Sequence, residues 1–157
     1  MDGIDRLAGL LVAEKRFRPF CGLDFEQAPL LTEPAPFNYF GTRAHWGSNT
    51  AIGLVQADAL DPAAMKLFAR RFHELLYLNP GFWIGGSYGL LGFAFDRPPP
   101  AQIVDGVRKL KRFNVPDKVW MAAWTLDLST GRVTPHSGGP YGLYPGRAWM
   151  EKAIRRS

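Results

Sequence analysis

The residues able to do chemistry are few and scattered. Three histidines, His45, His73 and His136, fall in separate stretches with no H-x-H or H-E-x-x-H spacing, and "HELL" at His73 lacks the second histidine of a zinc-binding helix. A single cysteine, Cys21, allows neither an internal disulfide nor a paired thiolate metal site. Asp24, Glu26 and Glu33 are close in sequence, but nothing beside them would drive two carboxyl pKa values apart for acid and base work. His136 sits next to Ser137, whereas a nucleophile and its base need a third group to orient them and are usually far apart in sequence. No catalytic residue, metal ligand or cofactor motif is therefore assigned, and whether the chain is an enzyme is left open.

The glycine-rich run "GFWIGGSYGLLGFAF", residues 81–95, invites a phosphate-loop reading. Its glycines, Gly81, Gly85, Gly86, Gly89 and Gly92, do not follow G-x-G-x-x-G, and no Gly-Lys-Ser/Thr occurs anywhere in the chain. The run reads as a hairpin of two short strands divided near Gly85-Gly86-Ser87, with the glycines letting another part of the chain, a helix above all, approach the backbone.

Binding chemistry is better represented than catalytic chemistry. The chain has five tryptophans, more than a core of this size ordinarily requires. Trp120 and Trp124 alternate onto one face of a strand, where they either cover a helix or line an apolar groove. Trp83 and Tyr88 belong to the glycine-rich hairpin, and His136, Tyr141 and Tyr144 to the turn-forming loop "TPHSGGPYGLYPG". These seven residues are the candidate protein-binding set. Arg108, Lys109, Lys111 and Arg112 form the strongest basic cluster and are the candidate phosphate contacts. An RNA-reading strand would carry a leading Lys or Arg, which "YGLLGFAF" lacks.

The elements that must position these residues follow from periodicity and punctuation. Ile4, Leu7, Ala8 and Leu11 give an N-terminal helix over residues 3–16 with Asp2 as its cap. A proline-rich connection leads to the aromatic strand 37–46, where Gly41 suggests a bulge, and "TAIGLVQAD" reads as the next strand. Asp61-Pro62 opens a helix running to Leu78, with Met65, Phe68, Phe72, Leu75 and Leu76 on its apolar face. After the glycine-rich hairpin, Ile103, Val107 and Leu110 mark a further helix, "DKVWMAAWTLDLSTGRVTPHSG" (residues 117–138) holds a terminal hairpin turning at Ser129-Thr130-Gly131, and "RAWMEKAIRRS" reads as a last helix.

From residue 50 to 128 this order is strand, helix, strand, strand, helix, strand. It predicts an α+β fold of ferredoxin-like type (βαββαβ), an antiparallel sheet with its helices on one face, extended by the N-terminal helix and the terminal β-hairpin. A profilin-like or longin-like α+β layer is the alternative topology.

A chain of 157 residues with 46% hydrophobic and 21% charged residues suits one domain spanning 1–157. The formal charge of +5 is compatible with nucleic acid or acidic protein partners. The N-terminus begins with acidic rather than basic residues and has too short an apolar stretch to span a bilayer, so the expectation is a cytoplasmic protein without a membrane partner. The expected function is a non-catalytic binding protein of adaptor, inhibitor or immunity type that engages another protein through aromatic and arginine residues. The alternatives are a nucleic-acid-binding protein using its basic helix faces, and a small-molecule enzyme or ligand-binding domain with a pocket near residues 85–89 and 136–144.

Overall fold

The computed structural model describes residues 2–19, 37–45, 48–78, 87–110, 119–135 and 144–157. Among these the elements run α1 (Gly3–Lys15), β1 (Arg18–Pro19), β2 (Tyr39–His45), β3 (Ser48–Gln56), α2 (Pro62–Leu78), β4 (Ser87–Phe95), α3 (Ala101–Arg108), β5 (Val119–Asp127), β6 (Arg132–Pro135) and α4 (Arg147–Ile154).

Local chemistry accounts for the helix boundaries. The Asp2 carboxylate accepts the Asp5 amide at 2.8 Å, and the Asp61 carboxylate accepts that of Ala64 at 2.7 Å, so both capping expectations hold. At the far end of α1, Arg16 takes a left-handed conformation with φ 58°, and the Phe17 amide turns back to the Leu11 carbonyl at 3.2 Å. That reversal brings the Phe17 ring into the core beneath α1.

The strands form one mixed sheet in sequence order, β1-β2-β3-β4-β5-β6. Pairs β1/β2, β2/β3 and β5/β6 are antiparallel, while β3/β4 and β4/β5 are parallel. Two cores lie on its two faces. One joins Ile4, Leu7 and Leu11 of α1 and Met150, Ala153 and Ile154 of α4 to Ile52, Leu54, Leu90, Trp124 and Leu126. The other joins Met65, Ala69, Phe72 and Leu76 of α2 and Ile103 and Val107 of α3 to Val55, Leu91, Phe93 and Met121. Along β3, β4 and β5, even positions face α1 and α4, and odd positions face α2 and α3.

The α+β class, the helices and the terminal hairpin stand as expected, but the antiparallel, one-faced sheet does not. Strands buried on both sides must be apolar at successive positions, and "AIGLV", "LLGFAF" and "MAAW" are. Helices α2 and α3 then serve as crossovers between parallel strands that step in one direction, which places both on the same face.

The hairpin expected of "GFWIGGSYGLLGFAF", divided near Gly85-Gly86-Ser87, is corrected as far as its second strand shows: no edge of that strand is left for a hairpin partner. β4 is continuous from Ser87 to Phe95 and carries a partner along both edges, β3 on one side and β5 on the other. Residues 81–86 lie outside the described part. The close approach inferred for the glycines is real at Gly89, where a Cβ would run into Leu76 Cδ1 and Phe72 Cε1 of α2. Gly41 is no bulge: the β2/β3 register is unbroken through Gly41↔Ile52, and the space above Gly41 is taken by the Tyr39 ring.

At the hairpin between β5 and β6, Asp127 Oδ1 accepts the amides of Ser129 and Thr130 at 3.0 and 3.1 Å and the Ser129 hydroxyl at 2.6 Å. Its Oδ2 accepts the Thr130 hydroxyl at 2.6 Å, and Gly131, with φ 73°, completes the turn. Burial opposes ionisation of Asp127, but these donors together outweigh it and hold the carboxyl below its ordinary range.

Candidate functional site

Cross-strand register assembles the most distinctive surface. Arg43 pairs with Thr50, Thr50 with Tyr88, and Tyr88 with Trp120, so these four side chains form one row across β2, β3, β4 and β5. The row lies on the face of α1 and α4. The next row on that face, Gly41-Ile52-Leu90-Ala122, already belongs to the buried sheet. In the outer row Trp120 stays 38% exposed, and its ring stacks on Tyr88 with centroids 5.0 Å apart and an interplanar angle of 15°. A large aromatic that is stacked yet left in water is pre-ordered at low further entropic cost, as an interface anchor should be.

The row continues onto the helices. The Arg43 guanidinium lies 4.2 Å from the Tyr144 ring centroid, and Tyr144 stacks on Phe17 at 6.2 Å. Lys15 Nζ lies 5.2 Å from the Tyr144 ring and 5.0 Å from that of Trp149. Aromatic and cationic side chains thus alternate from Trp120 and Tyr88 through Arg43 and Tyr144 to Lys15 and Trp149.

Beside this arc, α1 and α4 are tied together by Glu14. Its carboxylate accepts two bonds from Arg156, at 2.7 and 3.0 Å, and one from the Trp149 indole at 3.1 Å. Arg156, then Trp149, favour the ionised form, and the Glu14 pKa falls from 4.5 to about 2. A depressed carboxyl pKa stabilises the fold fully above the unfolded value, and that contribution is lost as pH falls from about 4.5 through 2. Glu14→Gln is therefore expected to melt less steeply with acid than wild type across that window. Parallel melting curves for the two proteins would contradict the tie.

The other sequence candidates are dispersed. Trp124 shares its strand face with Trp120 but is 5% exposed, packed in the α1/α4 core. The expectation for the tryptophan pair therefore splits, one residue to the core and one to the surface. Trp83, His136 and Tyr141 lie outside the described residues, as do Lys111 and Arg112. Arg108 forms an ion pair with Asp105 at 3.7 Å, and with Lys109 it ends α3, across the sheet from the aromatic row. Arg43, Thr50 and Lys15 were not singled out from sequence. Only the register of three strand pairs and the packing of α1 bring them to the aromatics.

The carboxyl ends of the parallel strands offer no comparable site. There the Gln56 amide donates to the Asp58 carboxylate and, at 3.1 Å, to that of Asp96, while the Asp96 backbone amide donates to Asp58 at 3.1 Å. Ligand crevices open at this end where strand order reverses, and β3, β4 and β5 run in order without reversal. Among the described residues no group of three or more His, Cys, Asp and Glu is placed to hold a metal ion, and no helix is long and apolar enough to cross a membrane.

Compared with protein-family models, curated proteins and solved structures, the chain matches none. Functional inference therefore rests on the geometry alone.

Proposed function

We propose that the chain is a non-catalytic binding protein, of adaptor, inhibitor or immunity type, that engages an acidic protein surface. The observation supporting this reading is the row Arg43-Thr50-Tyr88-Trp120, with its exposed, stacked aromatic end. Trp, Tyr and Arg dominate interface hot spots: the two aromatics cover a large area with few rotors, and Arg adds directional polar and π contacts. The sign of the partner follows from charge: Arg43 and Lys15 border the aromatics, and the chain carries +5 overall.

Single-stranded nucleic acid is the competing occupant, because bases also stack on exposed aromatics beside cations. The test is affinity capture from nuclease-treated extract with immobilised wild type, Trp120→Ala and Leu67→Ala, the last an exposed apolar control on α2. The captured protein is then purified and titrated. The reading expects one acidic protein held by wild type and Leu67→Ala, lost with Trp120→Ala, and binding directly when pure. Salt-sensitive binding of labelled oligonucleotides, lost with Trp120→Ala, in place of such a protein would overturn it.

A further inference from the structure

A second surface, independent of the aromatic row, lies across the sheet from it, where α2 and α3 cover the other core. Between the two helices is a hollow of about 40 Å³. Its floor is Met65 of α2 with Ile103 and Val107 of α3, all buried, and its rim includes Lys66, Gln102 and Gly106, all exposed.

Gly106 leaves this hollow open. A glycine inside a helix costs stability relative to alanine, so its presence calls for a reason. Backbone conformation is not the reason, since among the described glycines only Gly131 has a positive φ. Close packing is not the reason either, because among the described residues no atom lies within 4 Å of a Cβ built at Gly106. What the missing side chain does is keep the space between the helices unfilled. At about 40 Å³, a few times the roughly 10–15 Å³ that admits one water, the hollow has room for one aliphatic side chain.

The charge around it is predominantly of one sign. Helices α2 and α3, with Lys109 at the end of α3, carry Lys66, Arg70, Arg71, Arg108 and Lys109 against Glu74 and Asp105. Asp105 is paired with Arg108, Glu74 stands more than two turns beyond Lys66, and Asp61 ahead of α2 is bound to the Ala64 amide. No carboxylate is among the described residues lining the hollow. Lys66 lines it, and Lys109 follows Gln102 and Gly106 at helical spacing. Neither lysine has an ion-pair partner among the described residues. A second copy of this basic layer would be repelled, whereas an acidic partner is drawn to it. The walls offer an extended segment few polar groups to bond its backbone, and a helix bonds its own.

We propose that the α2/α3 hollow docks an acidic amphipathic helix of another protein. One leucine-sized side chain enters over Gly106, and carboxylates on the same helix face Lys66 and Lys109.

The test is a titration of the full-length ¹⁵N-labelled protein followed by amide NMR shifts, with three acetylated and amidated helical peptides and with phosphatidylglycerol vesicles. The first peptide is alanine-rich, with one leucine and glutamates a turn to either side. The second has alanine for that leucine, and the third has lysines for the glutamates. The expected result is saturable shifts from the first at Lys66, Gln102, Gly106 and Val107, binding of the second at least about tenfold weaker, and no shift from the third or from vesicles. Gly106→Leu fills the hollow from within and should weaken the first peptide at least about tenfold without lowering the melting temperature. Trp120→Ala, across the sheet, should bind it like wild type, so this site and the aromatic row fail separately. No shift with the first peptide, equal binding of the second, shifts centred on Tyr88 and Trp120, shifts of the hollow by vesicles, or an unaltered affinity in Gly106→Leu would each overturn the assignment. The wild-type peptide comparison stands whether or not either variant folds.

Discussion

Gly89→Val is expected to destabilise the fold by about 3 kcal/mol, the upper part of the usual range for overpacking. Position 89 lies mid-strand in β4, facing α2, where even a bare Cβ would overlap Leu76 Cδ1 and Phe72 Cε1. Both are fully buried core side chains, so relief requires α2 to lift from the sheet rather than one side chain to swing away. For a domain of this size such a loss lowers the melting temperature by roughly 10 °C. Gly106 supplies the contrast. It sits within α3 with nothing inside 4 Å of a built Cβ, so Gly106→Ala should stabilise by roughly 0.5–1 kcal/mol. Urea unfolding of both variants checks the pair, and equal effects would show that α2 does not rest on Gly89.

Trp120 and Trp124 should part company in the same assay. Trp124 is buried against α1 and α4, so Trp124→Ala leaves a cavity and should cost about 3–5 kcal/mol. Trp120 loses mainly its stack on Tyr88, so Trp120→Ala should cost roughly 1 kcal/mol. Two tryptophans of one strand, four residues apart on one face, would then differ several-fold in structural weight. Similar costs would mean that Trp120 is a core residue, and the surface row would lose its anchor.

What was legible in the sequence was local. Asp2 and Asp61 announced two helix starts, the apolar stripe of α2 was read residue by residue, and Ser129-Thr130-Gly131 marked the terminal turn, because each depends on neighbours a few positions away. Strand order was misread for a physical reason. The apolar residues of "GLLGFAF" occupy successive positions, the mark of a strand buried on both faces, but Gly85-Gly86-Ser87 just ahead of it reads as the turn of a hairpin. Once that hairpin was assumed, an antiparallel sheet followed. The candidate surface was half legible: Tyr88, Trp120 and Tyr144 stood out by type, while Arg43 joins them only through pairings that link residue 43 to residue 120. Nor could sequence separate Trp120 from Trp124, since both face the same way and only the placement of α1 and α4 decides which one is covered.

The central claim, that the Arg43-Tyr88-Trp120 row is a binding surface, is tested most directly by calorimetric titration of the purified captured partner against wild type, Trp120→Ala and Trp124→Phe. Trp120→Ala is expected to lose at least about 2 kcal/mol of binding, roughly thirtyfold in Kd, while Trp124→Phe binds like wild type. A Trp120→Ala variant that folds and binds the partner with wild-type affinity would contradict it.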